Sequence, residues 1–159
     1  MTTAHLNTTS LLAEIEALRA TVALLSTHQG FGVLACEAGR LALQQAQGSE
    51  VDVVFADLDF LHEANARLGY AEVDRRVRAA FRHREADVVA ALKASGDEFF
   101  FLAAPGTGAG LAARLQSELV ARGLSATWAV VPRTRDARGA LDAAVEAVRG
   151  KKAARGIGR

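Results

Sequence analysis

Val51 to Ala56 is a short apolar run, broken by Asp52 alone, that carries β-branched and aromatic side chains and is preceded by Gly48-Ser49 and followed by Asp57-Leu58-Asp59. A run of this length and composition predicts a buried strand, and this one delivers two acids at its end. Further on, Asp87 to Leu92 and Glu98 to Ala103 are strand-like segments separated by Lys93-Ala94-Ser95-Gly96-Asp97. They predict a hairpin with acids at its tip. If the first strand neighbours this hairpin in one sheet, Asp57 comes beside Asp97 or Glu98.

The rest of the chain is largely helical in pattern. Leu11, Ile15, Leu18, Val22 and Leu25 follow an a/d spacing, with Ser10 placed to cap and Glu14 in the first turn. This predicts a helix that either packs on its own domain or pairs with a second copy. The Gly-rich stretch from His28 to Gly32 ends it, and a second helix is predicted from Leu34 to Gln45. Leu61, Ala64 and Leu68 share the face of a helix stopped by Gly69. Val73, Val77 and Phe81 point inward from the next, with Arg75, Arg78 and Arg82 outward. A helix from Leu111 to Arg122, a strand from Ser125 to Val131 and a helix from Ala140 to Arg149 complete the series. This order suits an α+β fold in which helices pack on one mostly antiparallel sheet with a ferredoxin-like core. Residues 1–28 are read as an N-terminal helix and 29–159 as one domain.

Composition narrows the class. A chain of 159 residues, 50% hydrophobic, 23% charged and with two prolines is neither disordered nor collagenous. The single Cys36 forms no internal disulfide, which suits the cytoplasm. No apolar run approaches the roughly 20 residues of a membrane span, and Met1 to Asn7 lacks the order of a signal peptide. From Arg133 onward eight Lys and Arg stand against three Asp and Glu. That basic edge reads either as a solvated, frayed tail or as a surface facing phosphate. With no aromatic residue after Trp128 it offers no stacking platform for single-stranded nucleic acid.

Paired carboxylates at strand ends suit a hard cation. Mg²⁺ takes one or two carboxylates together with water and substrate phosphates, so such a site favours a nucleoside triphosphate. Acids also gather at strand ends and turns because those places are wet, and spacing alone leaves both readings open.

Two segments carry a resemblance to a known family. Asp57-Leu-Asp-Phe-Leu-His-Glu-Ala-Asn-Ala-Arg-Leu-Gly-Tyr-Ala-Glu-Val-Asp74, followed by Ser95-Gly-Asp-Glu-Phe99, resembles the DxDxFKxIND…GHxxGD and GGDEF signatures of the GGDEF domain of diguanylate cyclases, over roughly Gln29 to Lys152. These enzymes condense two GTP into cyclic di-GMP. The resemblance implies a nucleotidyl-cyclase palm, with a helix such as Leu11 to Leu25 serving as a dimerising signal helix in a homodimer. It also implies that Asp57 and Asp97 hold Mg²⁺, with Mn²⁺ as an alternative, and that Glu98 assists them. Asn65 and Asp74 match the guanine-reading pair, since an amide and a carboxylate suit the base's O6, N1 and N2. A surface asparagine, and an N-cap for a helix beginning near Arg75, are their respective structural alternatives. Arg149, with Lys151 and Lys152 nearby, falls where the family places phosphate-contacting basic residues. Arg84-Glu-Ala-Asp87 has the RxxD pattern of the family's product-inhibition site for cyclic di-GMP, two residues farther from Ser95 than usual.

The chain also departs from that pattern. Ser95 replaces the first glycine of the signature, and His62 replaces a phosphate-contacting lysine; an imidazole is mostly uncharged at neutral pH, so a fixed positive charge is lost there. Ala66 replaces the Asp that follows the guanine-reading Asn. Val73 replaces a Gly and is expected to crowd the base. The family's opening DxLTGLxNR segment is reduced to His28-Gln-Gly-Phe-Gly-Val-Leu-Ala-Cys36. Three functions remain: a divergent cyclase, a degenerate domain that binds GTP or cyclic di-GMP without turnover, and an interaction module whose working surfaces are the heptad seam and basic tail.

Overall fold

The computed structural model describes residues 27–28, 30–94 and 96–157; the predicted helix from Leu11 to Leu25, with its proposed dimer seam, and Ser95 lie outside them. The elements are β1 (Thr27–His28), β2 (Val33–Leu34), α1 (Cys36–Ala46), β3 (Val51–Leu58), α2 (Leu61–Leu68), α3 (Tyr70–Phe81), β4 (Val89–Leu92), β5 (Glu98–Ala103), α4 (Gly108–Val120), β6 (Ala126–Thr134) and α5 (Ala137–Ala154). One six-stranded sheet runs β1-β2-β4-β5-β3-β6. All its pairings are antiparallel except β2 with β4, where Leu34 faces Ala91. This is the expected α+β architecture, a mostly antiparallel sheet flanked by helices.

Helices cover both faces, which explains why Val53 to Ala56 of β3 and Phe99 to Ala103 of β5 are apolar throughout rather than alternating. Val54, Ala56, Phe99 and Phe101 turn to one face and pack against Val73, Val77 and Phe81 of α3 and Leu111, Leu115 and Leu119 of α4. Val53, Phe55, Phe100 and Leu102 turn to the other, against Leu43 of α1 and Ala140, Leu141, Ala144 and Val148 of α5. Phe81 anchors the first layer by edge-to-face contacts with Phe99 and Phe101, centroids 4.9 and 5.3 Å apart. Burying each such ring contributes about 1.5–3 kcal/mol.

Close packing also fixes α1. A Cβ on Gly39 would stand 2.6 Å from the Ala91 Cβ and 3.2 Å from the Phe100 ring, so only a glycine lets this helix lie so near the sheet. Val73 is wholly buried in the helical layer. Its side chain faces the core, which corrects the expectation that it crowds a bound base.

The helix bounds correct the sequence reading: Leu34 belongs to β2 and α1 begins at Cys36, α4 spans Gly108–Val120 rather than Leu111 to Arg122, and α5 begins at Ala137 rather than Ala140. Helix α3 begins at Tyr70, so Asp74 sits one turn inside it and is not its N-cap. Helix α5 does not end at Arg149 but continues to Ala154. Its last turns are fastened to the sheet: Lys151 Nζ donates to the Trp128 carbonyl at 2.7 Å, and Arg155 donates to Thr127 Oγ1 at 2.9 Å. The basic stretch, read either as a solvated, frayed tail or as a surface facing phosphate, is thus a docked helix as far as Ala154. No helix among the described residues is long and apolar enough to cross a membrane.

Candidate functional site

The antiparallel register of β3 and β5 sets the end of the first against the start of the second, with Asp57 directly opposite Glu98. The Leu58 amide donates to the Asp97 carbonyl at 3.0 Å, which holds the hairpin tip beside the strand end. The juxtaposition expected from sequence is thus built by the sheet itself. Gly96, at φ +98°, makes the turn before Asp97, a conformation that side chains resist. On the β3 side the chain leaves through Phe60, a non-glycine residue at φ 54°, and enters α2 at once. That strained turn aims α2 along the rim.

These elements, with the end of α5, enclose a cleft of about 920 Å³. Asp57, Asp97, Glu98, His62, Asn65 and Arg149 all line it, as do Lys93 and Lys152. A second cavity of about 620 Å³ lies on the opposite rim, between Glu37 and Arg40 of α1 and Asp136 and Arg138 at the start of α5, remote from the carboxylates. The larger cleft lies within the size range of nucleotide-sized ligand sites and is the one that holds the chemistry.

Two of its acids, Asp57 and Glu98, are already matched by bases. Lys152 Nζ pairs with Asp57 Oδ1 and donates to the Leu58 carbonyl at 2.9 Å, and Lys93 Nζ stands 3.3 Å from Glu98 Oε2. Burial pushes the Asp57 carboxyl above its ordinary value; Lys152 pulls it back, while Asp97 and Glu98 push it further up. Arg149 lines the cleft while pairing with Glu146 at 2.6 Å. His62 is exposed at the rim. The Oδ1 of Asn65 is buried and has no hydrogen-bond partner among the described residues. It is an unpaired acceptor beneath the surface of a residue that lines the cleft, and a small turn of the Asn65 amide would be needed to present it to a ligand.

Not every candidate gathers there. Asp74 is half-buried on α3 and is not among the lining residues. Arg84 spends its guanidinium on the carbonyls of Phe81, at 2.6 Å, and Gly32, at 3.2 Å, and Asp87 is exposed. No ion pair joins Arg84 and Asp87 among those described. Sequence reasoning gave no role to Lys93 and only a nearby place to Lys152. With α5 extended past Gly150, Lys152 falls one turn after Arg149 on the same face, an i, i+3 relation hidden by ending the helix too soon.

The donor set suits a hard cation. No three His, Cys, Asp or Glu side chains among the described residues gather to hold a metal alone. Yet Asp57 Oδ1 and the Leu58 carbonyl converge on one positive atom, the Lys152 ammonium, as two oxygen ligands of a cation would. Such a pair, completed by water and ligand phosphates, is the pattern Mg²⁺ prefers.

No family model matches the chain, and no curated protein matches its sequence. Solved structures do. The coiled coil and GGDEF domain of DgcB from Caulobacter crescentus, in complex with c-di-GMP, is 16% identical with a TM-score of 0.68, covering 94% of each chain. A microbial GGDEF domain described in its interaction with cyclic di-GMP is 20% identical with a TM-score of 0.66, over 81% of this chain and 94% of that one. The diguanylate cyclase SiaD of Pseudomonas aeruginosa, in complex with its activator SiaC, is 17% identical with a TM-score of 0.65, over 92% of this chain and 68% of that one. At these identities the likeness is one of architecture: the chain has the fold of a GGDEF domain, a nucleotidyl-cyclase palm.

Proposed function

We propose that this chain works in cyclic di-GMP signalling, taking GTP into the cleft at the end of β3 and condensing it with a second GTP held by another copy in a homodimer. The observation that carries the reading is the pairing of Asp57 with Glu98, beside Asp97, in a cleft whose Asn65 Oδ1 lacks a partner. Asp57, the Leu58 carbonyl and Asp97 would hold Mg²⁺ or Mn²⁺. The bound ion would supply charge neutralisation at the phosphates and lower the pKa of the attacking hydroxyl. Glu98 supports that acidic group, Asn65 receives the base with Asp74 as the second guanine reader, and His62 and Arg149 face the phosphates from the rim. Arg84 and Asp87 remain the proposed site of product inhibition, and reaching it would require Arg84 to release the Gly32 carbonyl.

A second reading, nucleotide binding without turnover, is favoured by Lys152 and Lys93, which already neutralise Asp57 and Glu98. One experiment separates the two. Purified protein is incubated with GTP and Mg²⁺ and the products are resolved by chromatography, with Asp97→Asn as control. Cyclic di-GMP that disappears in the variant supports the cyclase. No product, with GTP but not ATP raising the melting temperature, supports binding alone. Neither product nor shift refutes both.

A further inference from the structure

The cation seated on Asp57 is the protein's own. Lys152 Nζ bonds Asp57 Oδ1 and the Leu58 carbonyl, and its side chain is only 13% exposed, so it is lodged in the cleft wall. These are the oxygens a hard divalent ion would need, and the two cannot share them. A second carboxylate stands behind the first. Asp59 Oδ1 is 3.7 Å from the same ammonium, its side chain is 1% exposed, and Thr127 Oγ1 donates to it at 2.7 Å. Arg155 lies 3.5 Å from the other Asp59 oxygen and 2.9 Å from Thr127 Oγ1. Asp59 is thereby fixed in place, within reach of a lysine whose flexible stem needs only a small rotation.

We propose that Lys152 is a tethered competitor for the divalent-cation site at Asp57 and Leu58, and that Asp59 is the positioning residue to which its ammonium retreats when an ion enters. This rests on the reading of Asp57 as a cation ligand. A displaced ammonium with no second anchor would be left buried and unpaired beside an incoming double charge, an arrangement that strongly opposes binding. With Asp59 behind it, Lys152 changes carboxylates without leaving the protein. The apparent affinity for a free ion is then reduced by the fraction of molecules in which Asp57 is vacant. If Lys152 occupies it for about 90–99% of the time, the reduction is about 10- to 100-fold.

The test is Mn²⁺ binding to the intact chain without nucleotide, followed by loss of the free-ion electron paramagnetic resonance signal. Lys152→Met keeps the apolar stem and removes the ammonium, and it is expected to bind at least about tenfold more tightly than the unmodified chain. Asp59→Asn removes the second anchor and is expected to bind more weakly. Asp57→Asn abolishes binding in either background. If Lys152→Met binds no more tightly than the unmodified chain while Asp57→Asn abolishes both, the role of Lys152 is overturned and the cation site stands. If folded Lys152→Met binds no Mn²⁺ at all, both fall. Should Lys152→Met fail to fold by circular dichroism, Asp59→Asn decides, and an affinity equal to or above that of the unmodified chain overturns the proposal. None of these readouts depends on turnover, so an inactive protein leaves the test intact.

Discussion

Asp52, near the start of β3, makes a stability prediction that is independent of function. Its carboxylate is 1% exposed and accepts three backbone donors: Gly106 N at 2.9 Å and Arg133 N at 2.8 Å on Oδ1, and Gly108 N at 2.8 Å on Oδ2. These ties join the loop before α4 and the end of β6 to the central strand. In Asp52→Asn the amide oxygen can keep the first two, but the NH₂ faces the Gly108 N–H, donor against donor. Hydrogen bonds to charged groups contribute about 1.5–3 kcal/mol, and a buried donor left unpaired costs about 1–3 kcal/mol. With partial relaxation the variant should lose about 2–4 kcal/mol, or about 5–15 °C in melting temperature for a chain of this size. Burial pushes the Asp52 carboxyl upward, but the three backbone donors and the Arg133 charge outweigh it and hold it below its usual 3.8. A carboxylate whose pKa is depressed by folding stabilises fully above its unfolded value, and that contribution is lost as pH falls through the folded value. The gap between the unmodified chain and Asp52→Asn in urea melts should therefore be flat from about pH 7 to 5 and narrow below about pH 4. A melting temperature unchanged at pH 7, or a gap that widens on acidification, refutes the reasoning.

Two further perturbations probe the packing. Gly39→Ala forces α1 off the sheet, because its Cβ would meet Ala91 and Phe100 at 2.6 and 3.2 Å; urea melts should show a loss of about 1–3 kcal/mol, and an unchanged midpoint would mean the helix shifts freely. Arg84→Ala strips the Phe81 and Gly32 carbonyls of a donor whose pKa burial holds below its ordinary value, and should destabilise by about 1–3 kcal/mol. Calorimetry with cyclic di-GMP on the same variant separates structure from inhibition: a folded Arg84→Ala with undiminished affinity removes Arg84 from any product site.

What the sequence made legible follows from where one signal dominates. Strands β3 and β5 are buried on both faces, so Val53 to Ala56 and Phe99 to Ala103 are apolar without alternation; the Glu98 to Ala103 strand is legible to the residue, whereas β3 runs two residues past Ala56, to Leu58. The two-residue strands β1 and β2 were hidden, since so few residues carry no periodicity and Gly32 suggested a loop. Helix α5 was cut short because Gly150-Lys151-Lys152 looks like a terminus, whereas hydrogen bonds from Lys151, Lys152 and Arg155 to the sheet carry it on. Tertiary anchoring overrode local propensity there. The pairing of Asp57 with the hairpin tip was legible because topology and strand ends suffice to predict it. The lysines on those acids were not, because an ion pair between residues 57 and 152 leaves no trace in local pattern.

The two ends of β3 bury carboxylates in contrasting ways, and the contrast separates scaffold from site. At one end Asp52 is satisfied by backbone amides, which cannot leave without unmaking the turn and strand that carry them. At the other, Asp57 and Asp59 are satisfied mainly by side chains, with Lys152 bridging them and Arg155 and Thr127 holding Asp59. A fixed amide shell makes ionisation of Asp52 favourable. A shell of one flexible ammonium leaves the Asp57 carboxyl above its ordinary value, under-compensated for its burial. An under-compensated carboxylate gains most from a stronger cation, and one whose partner has somewhere else to go can accept it. On one strand five residues apart, about 17 Å at strand rise, the same side-chain type is thus held by fixed amides at one end and by side chains that can move at the other.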